Sequence, residues 1–134
     1  MIFVDTGAWY ALMDPTDPNH AAALGVSRDL AQGRLGRPVT SDYVLAEAYT
    51  LCRFRGGIEP LRRLAARVRE SPNLRVLRVT DTEYERALDL MLTREDKRWS
   101  FTDCTSFVLM ESLAIRDAFA FDENFAQAGF AVRP

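Results

Sequence analysis

Short apolar runs alternating with helical segments constrain this chain more than any other feature. IFV at 2–4 is a buried-strand pattern that stops at Asp5. Val39 and Thr40 make a second, very short run. Leu74, Val76, Leu77 and Val79 make a third, read as a second central strand. AFAF at 118–121 makes a fourth, ending at Asp122. Between them lie helical patterns. One runs from about His20 to Gln32. The next holds Tyr43, Val44, Glu47 and Leu51, starts at a Ser41 or Asp42 cap and stops at Gly56-Gly57. An Arg-rich helix follows over Glu59 to Arg69. Thr80 or Asp81 starts another, with Glu83 placed for a capping box if Thr80 is the cap. FTDCTSFVLMESLAI is a long apolar helical pattern, and NFAQAGFAV closes with a helical turn, a glycine break and a last edge strand. Strands that alternate with helices pair in parallel through crossovers, so a layered α/β domain is expected over residues 1–134.

A chain of 134 residues buries roughly two-thirds of its unfolded surface and needs no disulfide or structural metal to fold. Cys52 and Cys104 lie in apolar segments without zinc-like spacing and read as buried free thiols. No apolar run approaches the ~20 residues of a membrane span. The opening MIFVDTGAWYALMD has no basic leader, so a cytoplasmic protein is expected.

The net charge is only −2, but it is unevenly distributed. Residues 53–78 hold eight arginines against Glu59 and Glu70, a basic island in an acidic chain. Arginine outnumbers lysine sixteen to one, and its planar fork suits phosphate. The island reads equally as a solvated, salt-bridged helix face.

Four acids stand out. Asp5 and Asp122 each follow an apolar run, where parallel sheets gather functional groups beyond the strand ends. Glu47 is flanked by apolar residues and either faces water or needs a cation. Asp103, early in its helix, suits the helix dipole and also suits a cleft. Thr102 and Ser106 flank it with hydroxyls able to orient a carboxylate or a water. Clustered carboxylates repel unless a hard divalent cation neutralises them, and such a cation also serves phosphodiester hydrolysis.

Other chemistries fit poorly. His20 is the only histidine and sits in a polar loop or helix start, so paired-histidine and Ser-His catalysis lack parts. No glycine-rich phosphate loop is present. A haloacid-dehalogenase-like phosphatase would want a second aspartate where Gly7 stands, and a response-regulator receiver would want a strand-ending lysine, whereas Lys97 lies in a polar loop. A non-catalytic module whose acids accept a partner's arginine is the remaining alternative. Trp9, Tyr10, Tyr43, Tyr49, Trp99 and Phe101 are candidates for stacking on bases, with Trp99 the most exposed by its context.

Taken together, FVDTGAWYALMDPTDPNH, LAE at 45–47, WSFTDCTSFVLM at 99–110 and AFAFDENFAQAGF at 118–130 resemble the PIN domain family, specifically its VapC-type toxin ribonucleases. The resemblance covers nearly the whole chain. It implies a three-layer α/β/α fold with a central parallel sheet, and RNA cleavage dependent on Mg²⁺ or Mn²⁺. Asp5, Glu47 and Asp103 match the central metal-binding set and Asp122 the more variable fourth acid, with Thr6 and Thr102 as polar neighbours. Asp117 precedes its strand and is not expected to take part. A small VapB-type antitoxin and a homodimer are the implied partners.

Overall fold

The strands form one parallel sheet of five in the order β3-β2-β1-β4-β5. In the computed structural model, which describes residues 1–134, the elements follow as β1 (Ile2–Val4), α1 (Thr6–Met13), α2 (His20–Ala31), β2 (Pro38–Ser41), α3 (Asp42–Gly56), α4 (Ile58–Glu70), β3 (Arg75–Leu77), α5 (Asp81–Thr93), α6 (Phe101–Ser112), β4 (Asp117–Phe119), α7 (Asn124–Gln127) and β5 (Ala131–Arg133). From β1 the chain steps to β2 and β3, then returns to lay β4 and β5 on the other side of β1. Right-handed crossovers in opposite directions place their helices on opposite faces, giving three layers, α/β/α. No helix is long and apolar enough to cross a membrane.

Ile2, Phe3 and Val4 are all buried, as an unbroken apolar strand must be when both sheet faces are covered. The 74–79 segment departs from expectation, because β3 lies at the edge of the sheet and not at its centre. Arginines interleave its apolar residues, and Arg75 is exposed while Val76 and Leu77 are half-buried. β4 also differs: it ends at Phe119, and Asp122 follows in a bend.

Local chemistry sets the helix starts. Ser41, not Asp42, caps α3, its Oγ accepting from Val44 N at 3.1 Å. Asp42 instead accepts from Val79 N at 3.1 Å, which ties the chain after β3 to the first turn of α3. Thr80 and Glu83 form the capping box of α5. Gly57, at φ 85°, ends α3 in a backbone conformation that side chains disfavour, and α4 starts directly after it.

A buried polar link joins β1 and β2 on the α1 side. Thr40 Oγ1 donates to Val4 O at 2.9 Å and accepts from Trp9 Nε1 at 3.2 Å. Trp9 therefore braces the sheet. Thr40→Val keeps the shape but leaves the indole N–H and one carbonyl without their partner. It is expected to lower unfolding free energy in urea by about 2 kcal/mol, each unmade buried hydrogen bond costing ~1–3 kcal/mol.

Candidate active site

The strand order reverses at β1, and a crevice opens beyond the carboxyl ends of β1 and β4 at such a switch point. Asp5 follows β1 directly, and its N–H donates to Phe119 O at 3.0 Å, joining the two strand ends. It is the N-cap of α1 yet makes no side-chain capping bond. Its carboxylate is therefore not spent as a helix cap, while only 4% of the residue is exposed.

Asp103 enters from the first turn of α6. Ser100 Oγ accepts from Asp103 N, and Asp103 Oδ2 accepts from Ser100 N, both at 3.0 Å. Asn124 Nδ2 donates to the same Oδ2 at 2.9 Å. Asp122 is held from the other side, its Oδ1 accepting from Asn124 N at 3.0 Å. Glu47 comes from the middle of α3 and is exposed. Four separate segments thus converge, and their electrostatics show it. Burial, then Asp122, and then Asp103 and Glu47, push the Asp5 carboxyl up to about 8, against a hydrogen bond from the Thr6 backbone. Asp122 is raised by loss of hydration first and then by Asp103 and Glu47, against hydrogen bonds from the backbone N–H groups of Asn124 and Phe125. Its residue surface is exposed overall, yet its carboxyl sits close enough to protein to lose part of its water.

These groups suit a hard cation by type, since every donor is oxygen. Thr6 Oγ1 is also buried without a hydrogen-bond partner. They do not form a closed cage: no three of the acidic, histidine or cysteine side chains converge into a ready ligand set. Asp103 is occupied by two donors, and Glu47 extends into solvent. Magnesium keeps several waters and is commonly held by one or two carboxylates, so the arrangement fits a hydrated ion.

Beside the acids lies a groove of about 880 Å³, its walls including Thr6, Glu47, Thr102, Phe54 and Arg55. Ser106 does not join it as expected. Its buried hydroxyl donates to Thr102 O at 3.0 Å along its own helix, because a serine in a helix finds the preceding turn's carbonyl first. Asp117 opens β4 at the opposite end of the strand and pairs with Arg133 at 3.1 Å. His20 stays apart as well, its Nδ1 lying 2.6 Å from Ala11 O.

Trp99 was expected at the surface but is buried, its Nε1 donating to Gln127 at 3.2 Å beneath Arg94. Trp9 and Tyr10 are likewise buried. Asn124 and Phe54 belong to the site region without standing out singly in the sequence, and Arg55 is one of the eight arginines of the basic island. Asn124 gives no signal in a single sequence, because only the fold brings it to Asp103. Phe54 and Arg55 do carry one: RFRGG over residues 53–57, at a helix end, places an aromatic between two arginines.

Asn124→Leu removes the donor to Asp103 Oδ2 at similar size. Such supporting partners are typically worth ~10–100-fold in metal affinity or activity. For a divalent ion held by these acids the expected result is a loss in that range, read as a higher Mg²⁺ concentration for half-maximal binding in calorimetric titration. An unchanged metal titration would show that the contact is structural only.

The chain belongs to the PIN domain family, which matches residues 2–131. Within that family it is 38% identical over 135 aligned positions to the 23S rRNA-specific endonuclease VapC20 of Mycobacterium tuberculosis, covering 100% of this chain and 99% of that one. The crystal structure of that VapC20, described as a Sarcin-Ricin loop cleaving toxin, superposes with a TM-score of 0.89 at 37% identity and covers both chains completely. A VapC ribonuclease of Archaeoglobus fulgidus is 27% identical over 92% of this chain and 78% of its own. FitAcB from Neisseria gonorrhoeae shares the fold, with a TM-score of 0.69 at 19% identity over 100% of this chain and 97% of that one.

Proposed function

We propose that this protein is a Mg²⁺- or Mn²⁺-dependent endoribonuclease, the toxin of a VapBC-type pair acting in the cytoplasm. The observation that carries this reading is the nearly buried Asp5 facing three further acids at the β1/β4 switch point, with no cation among the groups acting on it. Asp5, Glu47 and Asp103 would hold the divalent ion. When bound, the ion neutralises this charge, polarises the phosphate and makes water a better nucleophile at neutral pH. Asp122 completes the negative pocket and accepts a hydrogen bond from water; one ion or two fit it equally. Thr6 Oγ1 has an uncommitted hydroxyl proton for a phosphate oxygen. Asn124 holds the Asp103 carboxylate in place. Attack by water leaves 5′-phosphate and 3′-hydroxyl ends, because water and not the ribose 2′-hydroxyl displaces the leaving oxygen from phosphorus.

The VapC20 relatives support large-subunit ribosomal RNA as the substrate, with a structured loop as the target. A small VapB-type antitoxin reaching the acids with a basic side chain is the expected inhibitor, and a homodimer the expected assembly. A PIN-type RNA-processing enzyme outside a toxin pair would use the same site. The test is cleavage of intact ribosomes and of total RNA by purified protein with Mg²⁺, Mn²⁺ or EDTA, mapping the cut ends. Metal-dependent cuts in 23S rRNA with 5′-phosphate ends are expected. Cleavage that persists in EDTA, or ends carrying 2′,3′-cyclic phosphate, would overturn the mechanism.

A further inference from the structure

We infer that the C-terminal end of α3 is a nucleotide subsite, where Phe54 stacks on an unpaired base and Arg55 takes the adjoining phosphate. This deepens the nuclease reading and rests on it only for calling the bound RNA a substrate. Phe54 is 84% exposed, the most exposed large apolar side chain in the protein. It stands seven residues after Glu47, two helical turns along the same face, at a rise of ~10.5 Å. Both residues line the one groove, as does Arg55. A stacked strand rises ~3.4 Å per nucleotide, so a base on Phe54 belongs to a nucleotide about three or fewer steps from the phosphate at the acids.

Charge favours this occupant. The acid end repels a polyanion without a cation, while the Phe54 end is flanked by Arg53 and Arg55. Neither arginine has a carboxylate within ion-pair distance. The Arg55 guanidinium lies over the Tyr10 ring, 5.6 Å from its centre, a contact that steadies it and leaves its charge uncancelled by an acid. A protein-docking face would repeat apolar anchors at helical spacing. Here the exposed polar residues Thr50 and Glu47 stand one and two turns before Phe54, and the apolar neighbours on that face are only half-buried Leu51 and small Ala46. A lone exposed aromatic beside unpaired arginines matches the stacking platforms that bind single-stranded nucleic acid.

The test uses the Asp103→Asn protein in Mg²⁺, with 2-aminopurine moved stepwise along an oligoribonucleotide carrying the Sarcin-Ricin loop sequence. One position should be quenched on binding. Phe54→Ala should remove that quench and weaken binding about tenfold or more, and Phe54→Trp should restore both. Arg55→Gln should lower the slope of log affinity against log salt by about one phosphate contact, with the quench at the same position. Unchanged affinity and quench in Phe54→Ala, or no binding at all, would overturn the subsite. So would Phe54→Ala converting a dimer to a monomer in sedimentation while RNA binding stays the same, since the face would then belong to a second copy. A Phe54-dependent quench without metal-dependent cleavage by the native protein would remove the nuclease reading and leave the subsite. Cleavage indifferent to Phe54 would do the reverse.

Discussion

Asp5→Asn is expected to abolish RNA cleavage and, in the same protein, to raise the melting temperature of the metal-free form at pH 7. The two effects share a cause. Folding takes Asp5 out of water and sets it among three acids, so its carboxyl keeps its proton up to about pH 8, against 3.8 for the free group. Between those values the unfolded chain binds fewer protons than the native one, so stability falls as pH rises through that window and is least strained below about pH 4. At pH 7 the opposition amounts to a few kcal/mol, at ~1.4 kcal/mol per unit of displaced pKa. Asparagine removes it, for a gain on the order of 10 °C. The same exchange takes one negative ligand from the proposed cation, and the expected loss of cleavage is about a thousandfold, the upper range for removing one preorganised electrostatic group. Added Mg²⁺ should raise the melting temperature of the native protein by binding the folded state alone and should do far less for the variant. Scanning calorimetry at pH 5 and pH 7 with a parallel cleavage assay checks both halves. A variant that melts at or below the native temperature at pH 7 would dismiss the buried-charge account.

Phe125→Ala should cost about 3–5 kcal/mol, as loss of a fully buried phenyl ring does. That is a large part of the 5–15 kcal/mol that stabilises an ordinary domain. Phe125 is completely buried, with its ring centre 5.0 Å from Phe107, 6.3 Å from Phe3 and 6.5 Å from Phe130. α7 has four residues, too few to be helical alone. The ring therefore fixes the turn that carries Asp122 and Asn124 to the acids. Urea unfolding measures the stability loss. Cleavage at a temperature where the variant is still folded should fall further than the folded fraction does, because the loop loses its anchor. Phe125→Leu, which refills most of the space, should recover much of both. A stability loss under ~1 kcal/mol would mean that the cluster repacks freely.

The sheet was legible where each strand has its own signature. IFV has no polar position and must be covered on both faces, which makes it central. The 74–79 run reads as central from its apolar residues alone, but arginines stand between them, and Arg75 needs an edge to reach water. Asp5 and Asp122 stand out because each follows an apolar run, and Glu47 because an acid in an apolar helix is costly without a partner, whereas Asp103 at a helix start reads equally as a favourable helix-dipole residue. Which of them would be buried was not legible: Asp5 is nearly enclosed and Glu47 exposed, although both stand among apolar neighbours. That difference depends on what packs across from them. Trp99 failed for the same reason, since the polar residues before it turn away while the ring packs on Phe107, 5.0 Å between centres. Asn124 and Ser106 turn on single hydrogen bonds, which no periodicity encodes.

The strand order also sets when the centre comes into being. β1 is synthesised first but is completed on one side only by β4, and Asp103 and Asp122 lie in the last third of the chain. A nascent chain folds from its N-terminal end as it emerges. Throughout most of its synthesis it therefore carries Asp5 and Glu47 without the acids that face them. A site proposed to cleave RNA is thus incomplete until the segment carrying Asp103 and Asp122 has been made.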